Sequence, residues 1–314
     1  MKNRFKLFLP VFILIIDFLI DYLLPNTQGF TKPKIYPILL SILIGVYVIL
    51  SILSIMYHKI YERLLKLSPL LSAVFIIICV WDLVTSKYNL LPLPYFPGPE
   101  KVFGDLFSDW SLILISALYS LRLLFVGYII GTFLGFVSGV LMGWNKKIYY
   151  WLNPLLKIIG PIPATAWIPL AMAMFPTSFM ASVFIIALAV WFPVTVMTSS
   201  GIANVPQSYF EVAKTLGADE KYLVFNVAIP ASLPTIFIGL FMGLGMSFLT
   251  LIVSEMLGVK AGLGWYINWA QGWAEYSKVY ACLLIIAIIF STLISILFKF
   301  RDKILSWQRG LIKW

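Results

Sequence analysis

The sequence predicts an all-α, polytopic membrane protein of about eight transmembrane helices, and three observations carry that expectation. Of its 314 residues, 61% are hydrophobic and only 11% charged, and the mean hydropathy is +0.96. A water-soluble domain carries about a quarter charged residues. The apolar residues also gather into runs close to the roughly 20 residues that a helix needs to cross a bilayer.

Taken in order, the runs fall at 7–24, 35–57, 67–85, 112–143, 151–175, 179–200, 231–254 and 278–299. The first carries Asp17 and Asp21 and no small-residue cleavage site, so it reads as a retained span rather than a signal peptide. The second is joined to the third by the short charged linker HKIYERLLK (58–66), which makes residues 1–66 an extra N-terminal hairpin ahead of a six-span unit at 67–314. The run at 112–143 is too long for one crossing at about 1.5 Å per residue. Its start, Asp109 to Leu121, is expected to lie along the membrane surface and to turn inward near Arg122.

The formal charge of +10 is a topology signal, because most of it flanks the spans. With the N-terminus inside, Lys2, Arg4, Lys6, Lys59, Arg63, Lys66, Lys146, Lys147, Lys157, Lys214, Lys221, Lys299, Arg301, Lys303, Arg309 and Lys313 are cytoplasmic. Lys32, Lys34, Lys87, Lys101, Arg122, Lys260 and Lys278 then face outward. The majority inside favours cytoplasmic N- and C-termini. No basic face interleaved with aromatics marks a nucleic-acid partner. Cys79 and Cys282 lie in apolar runs, and His58 is the single histidine, so no metal-ligand spacing is present. There is no phosphate-cradling Gly-x-x-x-x-Gly-Lys-Ser/Thr loop, no acidic pair for metal chemistry and no nucleophile elbow. The chain is not expected to be an enzyme.

Between two apolar runs lies EVAKTLGADEKYLVFNVAIPASLP (211–234), with five charges. It reads as two short helices. The first, Gln207 to Leu216, would be capped by Asn204 or Ser208 and ended by Gly217 in a left-handed conformation. The second, Glu220 to Val227, would be capped by Asp219 and stopped by Pro230. Helices this short do not persist alone in water. Packing on the chain's own bundle and docking to a partner are about equally good explanations from the residues themselves.

The spacing Glu211-x-Ala213, Gly217, then Val227-x-Ile229-Pro230 is similar to the EAA loop of ABC importer permeases. That loop reads Glu-Ala-Ala, three residues, Gly, nine residues, Ile-x-Leu-Pro. Val212, Val227 and Ile229 replace apolar residues with apolar ones. PGPEKVFGDL (97–106), Arg122 with Gly127, GPIPATAWIPLAMAMF (160–175) and SEMLGVKAGLGWYI (254–267) extend the resemblance over about 92–310. They resemble the permeases for nitrate, taurine, alkanesulfonates or bicarbonate. The resemblance implies a type I ABC importer permease fold, with coupling helices at about 206–229. It also implies a docking contact made by Glu211, Ala213, Lys214, Gly217, Ala218 and Pro230. The implied partners are a dimer of ATPase subunits holding ATP and Mg, a second copy of this chain, an extracytoplasmic substrate-binding protein and membrane lipid. The implied location is the cell membrane of a prokaryote, and the implied cargo a small anion, with a vitamin precursor as the alternative. An ion-coupled secondary transporter or channel is the alternative class. It calls for carboxylates near the bilayer midplane, whereas the acidic residues here fall at span ends or in loops.

Four further features are singled out by pattern. Gly127, Gly131, Gly135, Gly139 and Gly143 recur every fourth residue along about 24 Å of helix, a spacing that lets two helices approach closely in lipid. Packing inside the bundle is the favoured reading, and a homodimer or sliding seam the other. Pro154, Pro161, Pro163 and Pro169 disturb the fifth run, and irregular backbone in a membrane is tolerated where it is buried in protein or lines a wet cavity. Pro161, Pro163, Thr165 and Trp167 are therefore candidates for the translocation path. Glu255 and Arg122 are expected at similar depth, as an ion pair or a gate. Asp17, Asp21 and Asp82 read as snorkelling or hairpin contacts. Trp265, Trp269 and Trp273 read as an interfacial belt or a landing surface.

Overall fold

A computed structural model describes residues 2–29 and 35–308. Lys32, Lys34, Arg309 and Lys313, used above for orientation, lie outside the described residues. The described residues are helical nearly throughout and contain no strand. Six helices are long and apolar enough to cross a membrane, or seven if one bent pair counts as a single span. The expected count of about eight is not reached. The first helix, α1 (Lys2–Leu23), is not among the six, and it carries Lys6, Asp17 and Asp21 within its length.

The chain divides into two compact units. One comprises residues 1–113 and 269–284, the other 114–268 and 285–314. In the first unit, α1, α2 (Ile35–Met56) and α3 (His58–Asp82) pack around Leu14, Tyr36, Leu40 and Phe75, with a second cluster of Leu7, Val11, Tyr47 and Leu64. The charged stretch 58–66 is therefore not a linker but the first turns of α3. Leu64 is buried against α1 and α2, Ile60 and Tyr61 pack beside it, and only Tyr57 (φ −120°) leaves helical geometry. Amphipathic spacing wins here over charge content.

Asp17 and Asp21 make contacts between the helices of this unit, and Asp82 lies beside the same lysine as Asp21. The Tyr36 hydroxyl donates to Asp17 at 2.6 Å, and the Lys87 ammonium donates to Asp21 at 2.6 Å and lies 3.9 Å from Asp82. The side chain of Lys87 is only 2% exposed. Glu100, on the short amphipathic helix α4 (Pro99–Ser108), accepts from the Ile35 and Tyr36 amides and so caps α2.

In the second unit, α5 (Trp110–Trp144) is one unbroken helix of 35 residues. The turn expected near Arg122 is absent, since no Gly or Pro interrupts the ladder there and Leu123 and Leu124 are buried in a core with Ile186, Phe248 and Leu251. The fifth run is divided into α6 (Lys146–Ile159) and, after a turn of 3₁₀ helix at Ala164–Trp167, α7 (Ile168–Met174). These two halves bend by 85°. Pro161 and Pro163 sit in the break, where no regular ladder is asked of them. Two long helices complete the unit's frame, α8 (Ser178–Ala203) and α11 (Ile229–Gly258). Gly239 and Gly243 of α11 lie against Val190, Val194 and Met197 of α8. The last two helices are α12 (Leu263–Gly272) and α13 (Tyr276–Ile304).

Candidate functional site

The segment after α8 forms a helix pair. Asn204 is not an N-cap but the C-cap of α8, its side-chain amide donating to the Ser200 carbonyl at 2.8 Å. Helix α9 (Gln207–Thr215) follows Pro206, and no side chain caps it, neither Asn204 nor Ser208. A proline at this point fixes the entry angle without offering an acceptor. At the far end the Gly217 amide donates to Lys214 and the Ala218 amide to Ala213, at 2.9 and 3.1 Å, with Gly217 at φ +88°. These are the two bonds of a Schellman cap, whose left-handed residue favours glycine. The backbone carbonyls of Ala213 and Lys214 are thereby satisfied, and Gly217 fixes the turn.

Asp219 then accepts from the Tyr222 amide at 2.8 Å and starts α10 (Glu220–Tyr222). Pro230 does not stop this second helix. The chain passes through a wide π turn at Leu223–Ala228 straight into α11, so that Glu220–Gly258 is one 39-residue span. The wide turn immediately before Pro230 makes room for a ring that would break a regular helix.

Few side chains of the pair are buried. Phe210 meets the ring of Trp144 at the end of α5, 5.6 Å away, and Leu223 and Ala228 face the bundle. Tyr209, Val212, Leu216, Tyr222 and Phe225 are exposed, Leu216 by 83% and Phe225 by 67%, and Glu211 and Lys214 are exposed among them. A cleft of about 750 Å³ beside α9 is lined by Asn204, Tyr209, Val212, Asn226, Pro230 and Trp307. Contiguous exposed apolar side chains rimmed by charge mark an interaction surface.

The second cluster surrounds Glu255, which is only 1% exposed. The Ser120 hydroxyl of α5 points at both carboxylate oxygens, at 2.7 and 2.9 Å, and the Gly264 amide donates to one of them at 2.8 Å. The Leu263 amide in turn donates to Ser120 Oγ at 2.8 Å. Two of the N–H groups that open α12 are thus satisfied, and a carboxylate sits at a helix N-terminus, where the dipole favours it. Gly262 has φ +124°, and a Cβ there would lie 2.4 Å from the Glu255 carboxyl. The ion pair expected between Arg122 and Glu255 is not formed. The guanidinium lies over the Phe179 ring, 5.1 Å from its centroid, while hydrogen bonds from the α12 turn and Ser120 occupy the carboxylate. Ser120 was missed by sequence reasoning; a serine amid the apolar run of α5 was the available signal.

The glycine ridge of α5 faces α8. A Cβ on Gly127, Gly131, Gly135, Gly139 or Gly143 would come within 2.6, 2.5, 2.8, 2.5 or 2.8 Å of Ile186, Ala187, Val194, Thr198 or Ile202. Ser138 shares a 2.8 Å hydrogen bond with Thr195 across the same seam. In the break of the fifth run Pro161 and Pro163 are exposed and Thr165 and Trp167 half-buried, and the indole nitrogen of Trp167 is buried without a hydrogen-bond partner. Of Trp265, Trp269 and Trp273, Trp273 is exposed, and the Lys278 ammonium sits 4.9 Å from the centre of the Trp269 ring.

Six or seven long apolar helices define a multi-pass membrane protein, and comparison with known proteins shows which kind. Residues 127–306, more than half the chain, match the family described as binding-protein-dependent transport system inner membrane component, and the chain belongs to that family, the permeases of ABC importers. A putative ABC transporter permease of Methanocaldococcus jannaschii is 31% identical over 57% of this chain and 67% of its own. A nitrate import permease of Leptolyngbya laminosa is 28% identical over 59% and 68%. A bicarbonate transport system permease of Synechococcus elongatus is 31% identical over 40% and 45%. Among solved structures, an amino acid ABC transporter shares the fold with a TM-score of 0.52, at 22% identity over 67% of this chain and 98% of that one.

Proposed function

We propose that this chain, as two copies joined to two ATPase subunits, carries a small anion such as nitrate, a sulfonate or bicarbonate inward across a prokaryotic cell membrane. An extracytoplasmic binding protein delivers the cargo, and ATP and Mg stay on the ATPase. The N- and C-termini are cytoplasmic on this reading, residues 67–314 form the permease domain, and residues 1–66 are an addition to it. The anionic cargo rests on the likeness to nitrate and bicarbonate permeases.

The observation that carries the coupling role is the helix pair. It holds its own caps and turn, yet leaves Tyr209, Val212, Leu216, Tyr222 and Phe225 exposed, a surface that needs a second protein to cover it. Glu211 and Lys214 rim the contact, Ala213 and Ala218 permit close approach, Gly217 sets the angle between the helices, and Pro230 marks the entry into α11. Closure of the ATPase dimer pushes on this pair, and the bundles rock between inward- and outward-facing states. Thr165 and Trp167, beside Pro161 and Pro163 in the broken span, line the path, and Glu255 with Ser120 steadies its outer end.

The test is co-purification of the ATPase with the permease. Leu216→Asp together with Phe225→Asp is expected to abolish ATPase recovery while the permease still reaches the membrane. Undiminished recovery would refute the docking role. Thermal shift of the binding protein across nitrate, taurine, alkanesulfonates, bicarbonate and vitamin precursors identifies the cargo.

A further inference from the structure

On the second unit, α5, α11 and α13 leave a groove between them of about 220 Å³. Leu124, Phe125, Leu244, Leu293, Ile296 and Phe300 line it, and its walls are almost wholly apolar. The one hydroxyl at its edge, on Tyr128, is committed to the Leu240 carbonyl at 2.9 Å. Water has nothing to bond to there, so the occupant is apolar.

Two features say which apolar occupant. The α13 residues that line the groove, Leu293, Ile296, Leu297 and Phe300, follow the i, i+3, i+4, i+7 spacing of one helix face. Lys303 continues that face one turn further on, with Lys299 beside it, and both are exposed. Arg301 is already engaged, paired with Asp302 at 2.8 Å and stacked over Phe298, whereas neither lysine is in an ion pair among the described residues. The stretch of α13 that lines the trough is thus followed, within one turn, by exposed ammonium groups. From Leu293 to Lys303 the helix rises about 15 Å, half of a hydrocarbon core of about 30 Å. The lining on α13, Leu293 to Phe300, covers only about 10 Å of that, a length that one acyl chain fills and that gives a partner helix about two turns of contact.

We infer that this groove is a binding site for an anionic phospholipid, one acyl chain lying along α13 between α5 and α11 and the phosphate held by Lys299 and Lys303. The inference requires only that α13 spans the membrane and stands whether or not the cargo and coupling roles above are correct. A zwitterionic lipid fits the groove equally well but brings no net negative charge to the lysines, so headgroup charge decides occupancy.

The full chain, purified from its membrane and placed in nanodiscs of equal phosphatidylglycerol and phosphatidylcholine with matched acyl chains, is examined by native mass spectrometry. Phosphatidylglycerol is expected to be retained in preference to phosphatidylcholine. Lys299→Gln or Lys303→Gln is expected to weaken that preference about five-fold each, and the double variant about 25-fold. Ile296→Trp, which fills the groove without touching the lysines, is expected to remove both lipids. Equal retention of the two lipids by the unaltered chain overturns the inference. So does a disulfide between two copies carrying Ile296→Cys, which would make the groove a contact between chains.

Discussion

Two glutamate–glycine pairs stand at opposite ends of one long helix, and they use the same residue types in opposite ways. Glu211 and Gly217 are exposed, and a Cβ on Gly217 would meet nothing within 4 Å. Glu255 is buried, and a Cβ on Gly262 would strike its carboxyl at 2.4 Å. Gly217 is required for backbone conformation alone, Gly262 for conformation and for space. The first pair lies on an open surface of the chain, and the second is a closed knot that joins α5, α11 and α12.

Substitutions can break or sharpen this contrast, beginning with the most severe. The glycine seam behaves as the knot does, only along a whole helix. Gly135→Leu sets a side chain into α8, where even a Cβ would be 2.8 Å from Val194, and is expected to abolish the folded protein, scored as loss of the monodisperse peak in detergent. Gly262→Ala combines a strained φ with a clash and is expected to cost about 3 kcal/mol in thermal unfolding. Glu255→Ala leaves Ser120 and the Gly264 amide without their acceptor and should cost about 2 kcal/mol, whereas Glu255→Gln keeps an acceptor and should cost less than about 1 kcal/mol. Gly217→Ala meets only the left-handed penalty of about 1 kcal/mol, and its larger effect should be on ATPase stimulation by the binding protein. Glu211→Ala should shift unfolding by no more than about 0.5 kcal/mol while reducing transport. If it destabilises as much as Glu255→Ala, the contrast between surface and knot is lost.

Local patterns were readable from sequence, and contacts between distant residues were not. The turn at Gly217, the cap at Asp219 and the fourfold glycine spacing all depend on neighbours within a few residues. The partner of Glu255 is Ser120, 135 positions away, and charge complementarity pointed instead to Arg122, which lies over an aromatic ring. Lys87 entered the sequence reading only as a charge that marks a side of the membrane, and its burial beside Asp21 and Asp82 depends on α1, with Asp21 66 residues away. The linker at 58–66 was misread for a related reason: its charges concealed an apolar face that α1 and α2 complete. Pro230 was expected to end a helix, and a wide turn next to it carries the helix through instead.

That wide turn has a mechanical consequence. Because the span Glu220–Gly258 is continuous, its 39 residues form a rod of about 58 Å at 1.5 Å per residue. Its first residues belong to the exposed helix pair, and Glu255 lies three residues from its last. A tilt of about 5° around the rod's centre moves each end by about 2.5 Å, in opposite directions. That distance is close to the length of a hydrogen bond. Where the helix pivots as one body, a modest tilt is enough to strain the bonds from Ser120 and Gly264.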